Sequence, residues 1–95
     1  MNETPSRPQP YRSTSIFDEK TLPAALRRNH RTKKGVWGVI RVIEGELKLV
    51  VLDPPGEAIL TPESPGLLLP DQPHFVEPLG CMRMQVDFYD QPPEL

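Results

Sequence analysis

Proline constrains this chain more than any other residue. It occupies thirteen of the 95 positions, against a usual share of about 5%. Each proline fixes φ, lacks a backbone N–H and biases the residue before it away from the helical region. Prolines at 54, 55, 62, 65, 70, 73 and 78 cut the second half into pieces too short for a helix. Short strands separated by Pro/Gly turns are what such a chain can build.

The residues between the prolines agree with this. Across residues 36–43 nearly every residue is apolar, β-branched or Gly, which suits a strand covered on both faces. In the next stretch Leu47, Leu49 and Val51 alternate with Glu46, Lys48 and Val50, the pattern of a strand with one buried face. Glu44-Gly45 between them reads as a two-residue hairpin turn, because Gly45 takes positive φ without steric cost. Short strands are expected at 57–61, 67–69 and 74–77, with a turn at 53–56. In the last strand, 82–89, Met82, Met84, Val86 and Phe88 form one face and Arg83, Gln85, Asp87 and Tyr89 the other. Residues 11–17 read as an edge strand. Residues 24–28 (Ala-Ala-Leu-Arg-Arg) favour helix by propensity, but they are too few for a helix to stand alone; a short strand is expected there.

About six to eight short strands at roughly ten-residue spacing predict a single all-β domain, an antiparallel sandwich or barrel. Residues 1–10 are expected to form a flexible proline-rich N-terminus, 11–90 the domain and 91–95 a short tail. Net charge is −2, so no global field attracts nucleic acid or an anionic membrane. Cys81 is the single cysteine, which excludes an internal disulfide and leaves a buried, inert thiol as the expectation. No apolar run approaches the roughly 20 residues of a membrane span. The start, MNETPSRPQPYRSTS, lacks a signal-peptide core, so a cytoplasmic setting is expected.

The order of features is His-x-Thr-x-x-Gly-x-Trp, a strand, Glu-Gly, a strand, a Pro-Gly turn, then Pro-x-x-Pro-His. Carried by His30, Thr32, Lys33, Gly35, Trp37, Gly45, Leu47, Pro70, His74 and the Asp87-Phe88-Tyr89 ending, it resembles a family of small cupin domains. These stand at the N-terminus of the tellurite-resistance protein TehB and alone in YeaR-like proteins. The resemblance covers roughly residues 22–89. It implies a jelly-roll β-sandwich and a link to tellurite or to oxidative and nitrosative stress. The methyltransferase domain of TehB has no counterpart here, and nothing resembles a glycine-rich site for S-adenosylmethionine. The chain also departs from the wider cupin pattern. Thr32 stands where a second histidine is usual, and no glutamate falls at the matching spacing before Gly45.

The chemistry centres on His30 and His74, the only histidines. Two imidazoles and a carboxylate at an open site suit Zn, Ni, Mn or Fe(II). The expected metal site is His30 and His74 with Asp87 or Gln85 from the polar face of the last strand, or Glu77, as third ligand. Thr32, Trp37 and Arg83 are expected to line the pocket. In the plainer reading, His30 is a solvated loop residue and His74 hydrogen-bonds only to backbone. Arg27, Arg28, Arg31, Lys33 and Lys34 form a cationic cluster around His30. An anion site competes there with a solvated loop, which strand alternation favours.

Three functional readings stay open. One is a module binding a small molecule or divalent metal. The second is a metal-dependent oxygenase or isomerase using His30 and His74. The third is a structural or regulatory domain that dimerises through a sheet edge. The missing second histidine and glutamate favour the first, and no nucleophile is nominated. A homodimer is expected, with residues 11–17 able to add to a neighbour's sheet.

Overall fold

The computed structural model describes residues 7–94, so most of the expected flexible terminus at 1–10 and the last residue of the tail lie outside the described residues. Among the described residues nine antiparallel strands form two sheets. The first sheet holds β1 (Arg12–Ser13), β2 (Phe17–Asp18), β4 (Trp37–Glu44), β7 (Gly66–Leu68) and β9 (Arg83–Tyr89), in the order β1-β9-β4-β7 with β2 also on β9. The second holds β3 (His30–Arg31), β5 (Leu47–Leu52), β6 (Pro55–Leu60) and β8 (Pro73–Pro78), in the order β3-β8-β5-β6. This is the expected all-β antiparallel sandwich in one domain.

The core lies where the apolar faces meet. Ile40 of β4, Leu47 of β5, and Met82 and Met84 at β9 are its largest fully buried side chains. The alternation of β9 is realised as read, with Met84 and Val86 buried in the core cluster and Phe88 packed against it. No helix among the described residues is long and apolar enough to cross a membrane.

Five local expectations are corrected, the first being Cys81, expected to be buried but in fact exposed. Glu44-Gly45 does not join a hairpin: β4 and β5 belong to different sheets, and the chain crosses between them there. Gly45 does take positive φ, +78°. A Cβ at this position would run into the carbonyl oxygen of Cys81 and lie 2.9 Å from the Met82 Cβ. Residues 24–28 form no strand; Ala24–Arg27 is a 3-10 turn, started by Pro23, whose carbonyl accepts from the Leu26 N–H at 3.0 Å. The 53–56 turn is tighter than expected, because β6 already pairs Pro55 with Leu52. A proline is tolerated there since β6 is an edge strand. Finally, residues 11–17 divide into β1 and the start of β2, both paired with β9 of the same chain.

Candidate functional site

β3 and β8 lie side by side with His30 opposite His74. Their rings meet edge to face, centroids 5.5 Å apart at 89°. His74 is 2% exposed. Its Nδ1 lies 2.8 Å from the Gln72 carbonyl oxygen; a carbonyl only accepts, so Nδ1 carries the hydrogen and Nε2 keeps a lone pair. Burial pushes the His74 pKa down, opposed by the Gln72 hydrogen bond and reinforced by His30. The buried imidazole is therefore held neutral.

Thr32 follows two positions after His30 and shares its side of the chain. Its carbonyl accepts from the Asp71 N–H at 2.9 Å. Its hydroxyl Oγ1 is buried and has no hydrogen-bond partner. Among buried side-chain polar atoms of the described residues it alone is unsatisfied, a condition that costs about 1–3 kcal/mol.

Two concavities share residues of this group in their linings. The inner one, about 70 Å³, runs between the sheets against Ile40, Leu68, Met84 and Val86. The outer one, about 190 Å³, is bordered by Tyr11, Arg12, Arg31 and Lys33. His30, Thr32 and Phe88 border both. Arg31 is tied to Asp71, its Nη1 3.2 Å from the carboxylate and 2.9 Å from the carbonyl oxygen. Arg12 and Lys33 have no ion-pair partner among the described residues. The cationic cluster thus splits: Arg31 and Lys33 reach the outer chamber, while Arg27, Arg28 and Lys34 do not.

Of the expected site residues, His30, His74 and Thr32 come together. Asp87 and Gln85 do not join them. With Met84, Val86 and Phe88 facing the cavity, alternation turns Gln85 and Asp87 to the opposite face of β9. There Arg41 Nε donates to Asp87 Oδ2 at 2.6 Å and Ser13 Oγ to Oδ1 at 2.7 Å. Arg41 Nη2 donates to Gln85 Oε1 at 2.7 Å, and Gln85 Nε2 to the Thr14 carbonyl at 2.7 Å. Glu77 is exposed on β8 and pairs in register with Lys48. Trp37 stands opposite Tyr89 on β4 and borders neither chamber. Arg83 is exposed, with Nη1 3.7 Å from Glu44 Oε1. The wall residues Leu68, Val86 and Phe88, and Arg12 at the mouth, were missed; the apolar face of β9 was the available signal for Val86 and Phe88.

The divalent metal is corrected on the same geometry. No group of three or more His, Cys, Asp or Glu among the described residues could hold an ion. Two imidazoles remain, one with Nδ1 already committed to backbone. The expected metal-dependent oxygenase or isomerase loses its basis with the ion.

Comparison with known proteins agrees. Residues 12–86 match the family model described as the TehB-like domain. The chain is 34% identical over 79 residues to a probable S-adenosyl-L-methionine-dependent methyltransferase TehB of Haemophilus influenzae strain Rd, and 33% identical to that of strain 10810. Each alignment covers 79% of this chain and 25% of the relative, so the chain spans about a quarter of these curated relatives. The cofactor in their name is an organic sulfonium, not a metal ion. The crystal structure of H. influenzae TehB superposes with a TM-score of 0.79 at 30% identity, covering 87% of this chain and 31% of that one. A protein of E. coli strain K12 superposes with a TM-score of 0.80 over 99% of this chain and 100% of its own; at 22% identity it shows the shared fold. The chain belongs to the TehB-like domain family.

Proposed function

We propose that this domain is a small-molecule-binding module without catalysis of its own, and that its site is the pair of chambers that share His30, Thr32 and Phe88 in their linings. The buried, partnerless hydroxyl of Thr32 carries this reading. An apolar concavity with few convergent polar groups is the usual form of a ligand site, and a ligand atom bonded to Thr32 removes an unsatisfied group. The lone pair on His74 supplies a second fixed point. Cationic Arg12 and Lys33 at the outer chamber oppose the sulfonium of S-adenosylmethionine. That cofactor therefore does not fit this site, and methyl transfer is not assigned to this chain.

The link to tellurite and to oxidative or nitrosative stress supplies the setting in which such a ligand is met. Fragment screening by NMR on the full chain tests the reading. Hits are expected to move the signals of His30, Thr32 and Met84 together, and His74→Gln is expected to weaken them. Hits that map elsewhere, indifferent to His74→Gln and Thr32→Val, overturn it. In cells, tellurite sensitivity caused by loss of the gene is expected to be corrected by the wild-type chain and not by His74→Gln.

A further inference from the structure

We infer that the ligand is a short-chain organic monoanion, a carboxylate on a small unbranched tail; this rests on the pocket reading above and narrows it. The two chambers differ in chemistry along one line. The inner chamber is walled mainly by carbon, from Ile40, Leu68, Val76, Met84 and Val86, with His30, Thr32 and His74 as polar groups at its border, and favours a group that water holds poorly. Its small volume, about 70 Å³, suits a short tail and not a long one. The outer chamber carries Arg12, Arg31 and Lys33 and no carboxylate residue.

Among the described residues only Arg31 of these cations is engaged, with Asp71. Arg12 and Lys33 place two uncompensated positive charges in a concave mouth, which concentrates anions. The domain as a whole has net charge −2, so the attraction is local and belongs to this opening. Thr32 stands between the two regions, its hydroxyl able to donate to an oxygen of the entering headgroup. A tail-first carboxylate satisfies all three features at once. A bare inorganic oxyanion leaves the inner chamber unused, and a neutral or cationic amphiphile leaves the mouth uncompensated.

The test uses the full chain, with the Met84 methyl and His30 ring signals followed by NMR during titration. The probes are sodium ethanoate, propanoate, butanoate, pentanoate and octanoate, with 1-butanol, butylammonium chloride and inorganic phosphate as comparisons. From ethanoate to pentanoate each added methylene is expected to tighten binding by about fourfold, with no further gain at octanoate. Butanoate is expected to bind more tightly than butanol and butylammonium. Arg12→Gln with Lys33→Gln should weaken butanoate by about tenfold and leave butanol unchanged. The chain-length series needs no variant, so a misfolded variant does not spoil the test. If butanol equals butanoate, or phosphate binds as well as pentanoate, the monoanion assignment falls while the pocket reading stands. If none of the probes moves Met84 or His30, and the fragment screen maps elsewhere, both fall.

Discussion

His30 and His74 face each other across neighbouring strands, yet the two rings are not equivalent. His74 is buried and fixed by the Gln72 carbonyl, whereas His30 is only partly covered and borders the outer chamber as well. The protein holds the His74 pKa below its ordinary value, chiefly through burial. The unfolded chain therefore takes up this proton more readily than the folded one. Stability from this residue is expected in full above the unfolded pKa, about 6.5, and to decline as pH falls from there towards the lower folded value. Urea unfolding across pH 5–7 should show that decline, and His74→Gln should flatten it. An equal slope in both proteins refutes the assignment.

Thr32→Val should separate stability from binding. Valine has nearly the same shape and removes the unsatisfied hydroxyl, so the free protein is expected to gain about 1 kcal/mol. For a domain of this size that raises Tm by roughly 4–8 °C. Affinity for a pocket ligand should fall at the same time. A variant that loses stability shows that the hydroxyl has a partner in solution.

Asp87→Asn should act on the fold directly, and on the site only through the wall residues Val86 and Phe88 beside it. Burial raises the Asp87 pKa, but the bonds from Arg41 and Ser13 outweigh it and hold the carboxyl below its usual range. Its contribution is therefore complete above the unfolded value, about 3.9, and is lost as pH falls through the lower folded value. Replacement by Asn is expected to cost about 1–3 kcal/mol in urea unfolding at neutral pH. Direct NMR contact between a ligand and Asp87 would contradict its placement.

Two glycines with positive φ should respond differently to alanine. Gly35 has φ +74° and open space around it, so Gly35→Ala meets only the backbone penalty of about 1–2 kcal/mol. Gly45→Ala adds the collision with Cys81 and Met82 and should cost clearly more in thermal unfolding. Equal costs would mean that the crossing between sheets is looser than described.

Self-association is expected through the sheet edges. β6 and β7 are edge strands, and they expose Ile59 and Leu67. Light scattering should give about twice the 10.8 kDa of one chain. A clean monomer at high concentration refutes it.

Much of the fold was legible because its signals are local. The alternation of Leu47-Leu49 and Met84-Val86 depends only on which face of a strand is buried, and proline marks where strands stop. Partner choice is not local. The Glu44-Gly45 step suits a hairpin and a crossing between sheets equally well, since both need positive φ at Gly45. The decision lies in distant pairing, since β4 takes β7 and β9 as partners while β5 takes β6 and β8. The site shows the same division. His30 and His74 stood out as the only histidines, and Thr32 through the family resemblance. A period of two separates Asp87 from Phe88 but does not say which looks inward, and the counter-charge that settles it, Arg41, comes from another strand. Residues 24–28 read as a strand because so few positions are too few for a helix to stand alone; Pro23 starts a helical turn and Leu26 packs it against the core, so their helical propensity is realised as a 3-10 turn.

The Arg41–Asp87 pair has a consequence on the other side of the strand. Val86 and Phe88, the neighbours of Asp87 in sequence, form part of the cavity wall. Bonds to Arg41 on β4 and Ser13 on β1 therefore clamp this wall from behind, before any ligand arrives. A guest meets a surface that is already set, so little ordering of the protein opposes its entry. The same rigidity limits tolerance: a guest one atom too long has to bend itself, because the wall behind which Asp87 is anchored does not give way.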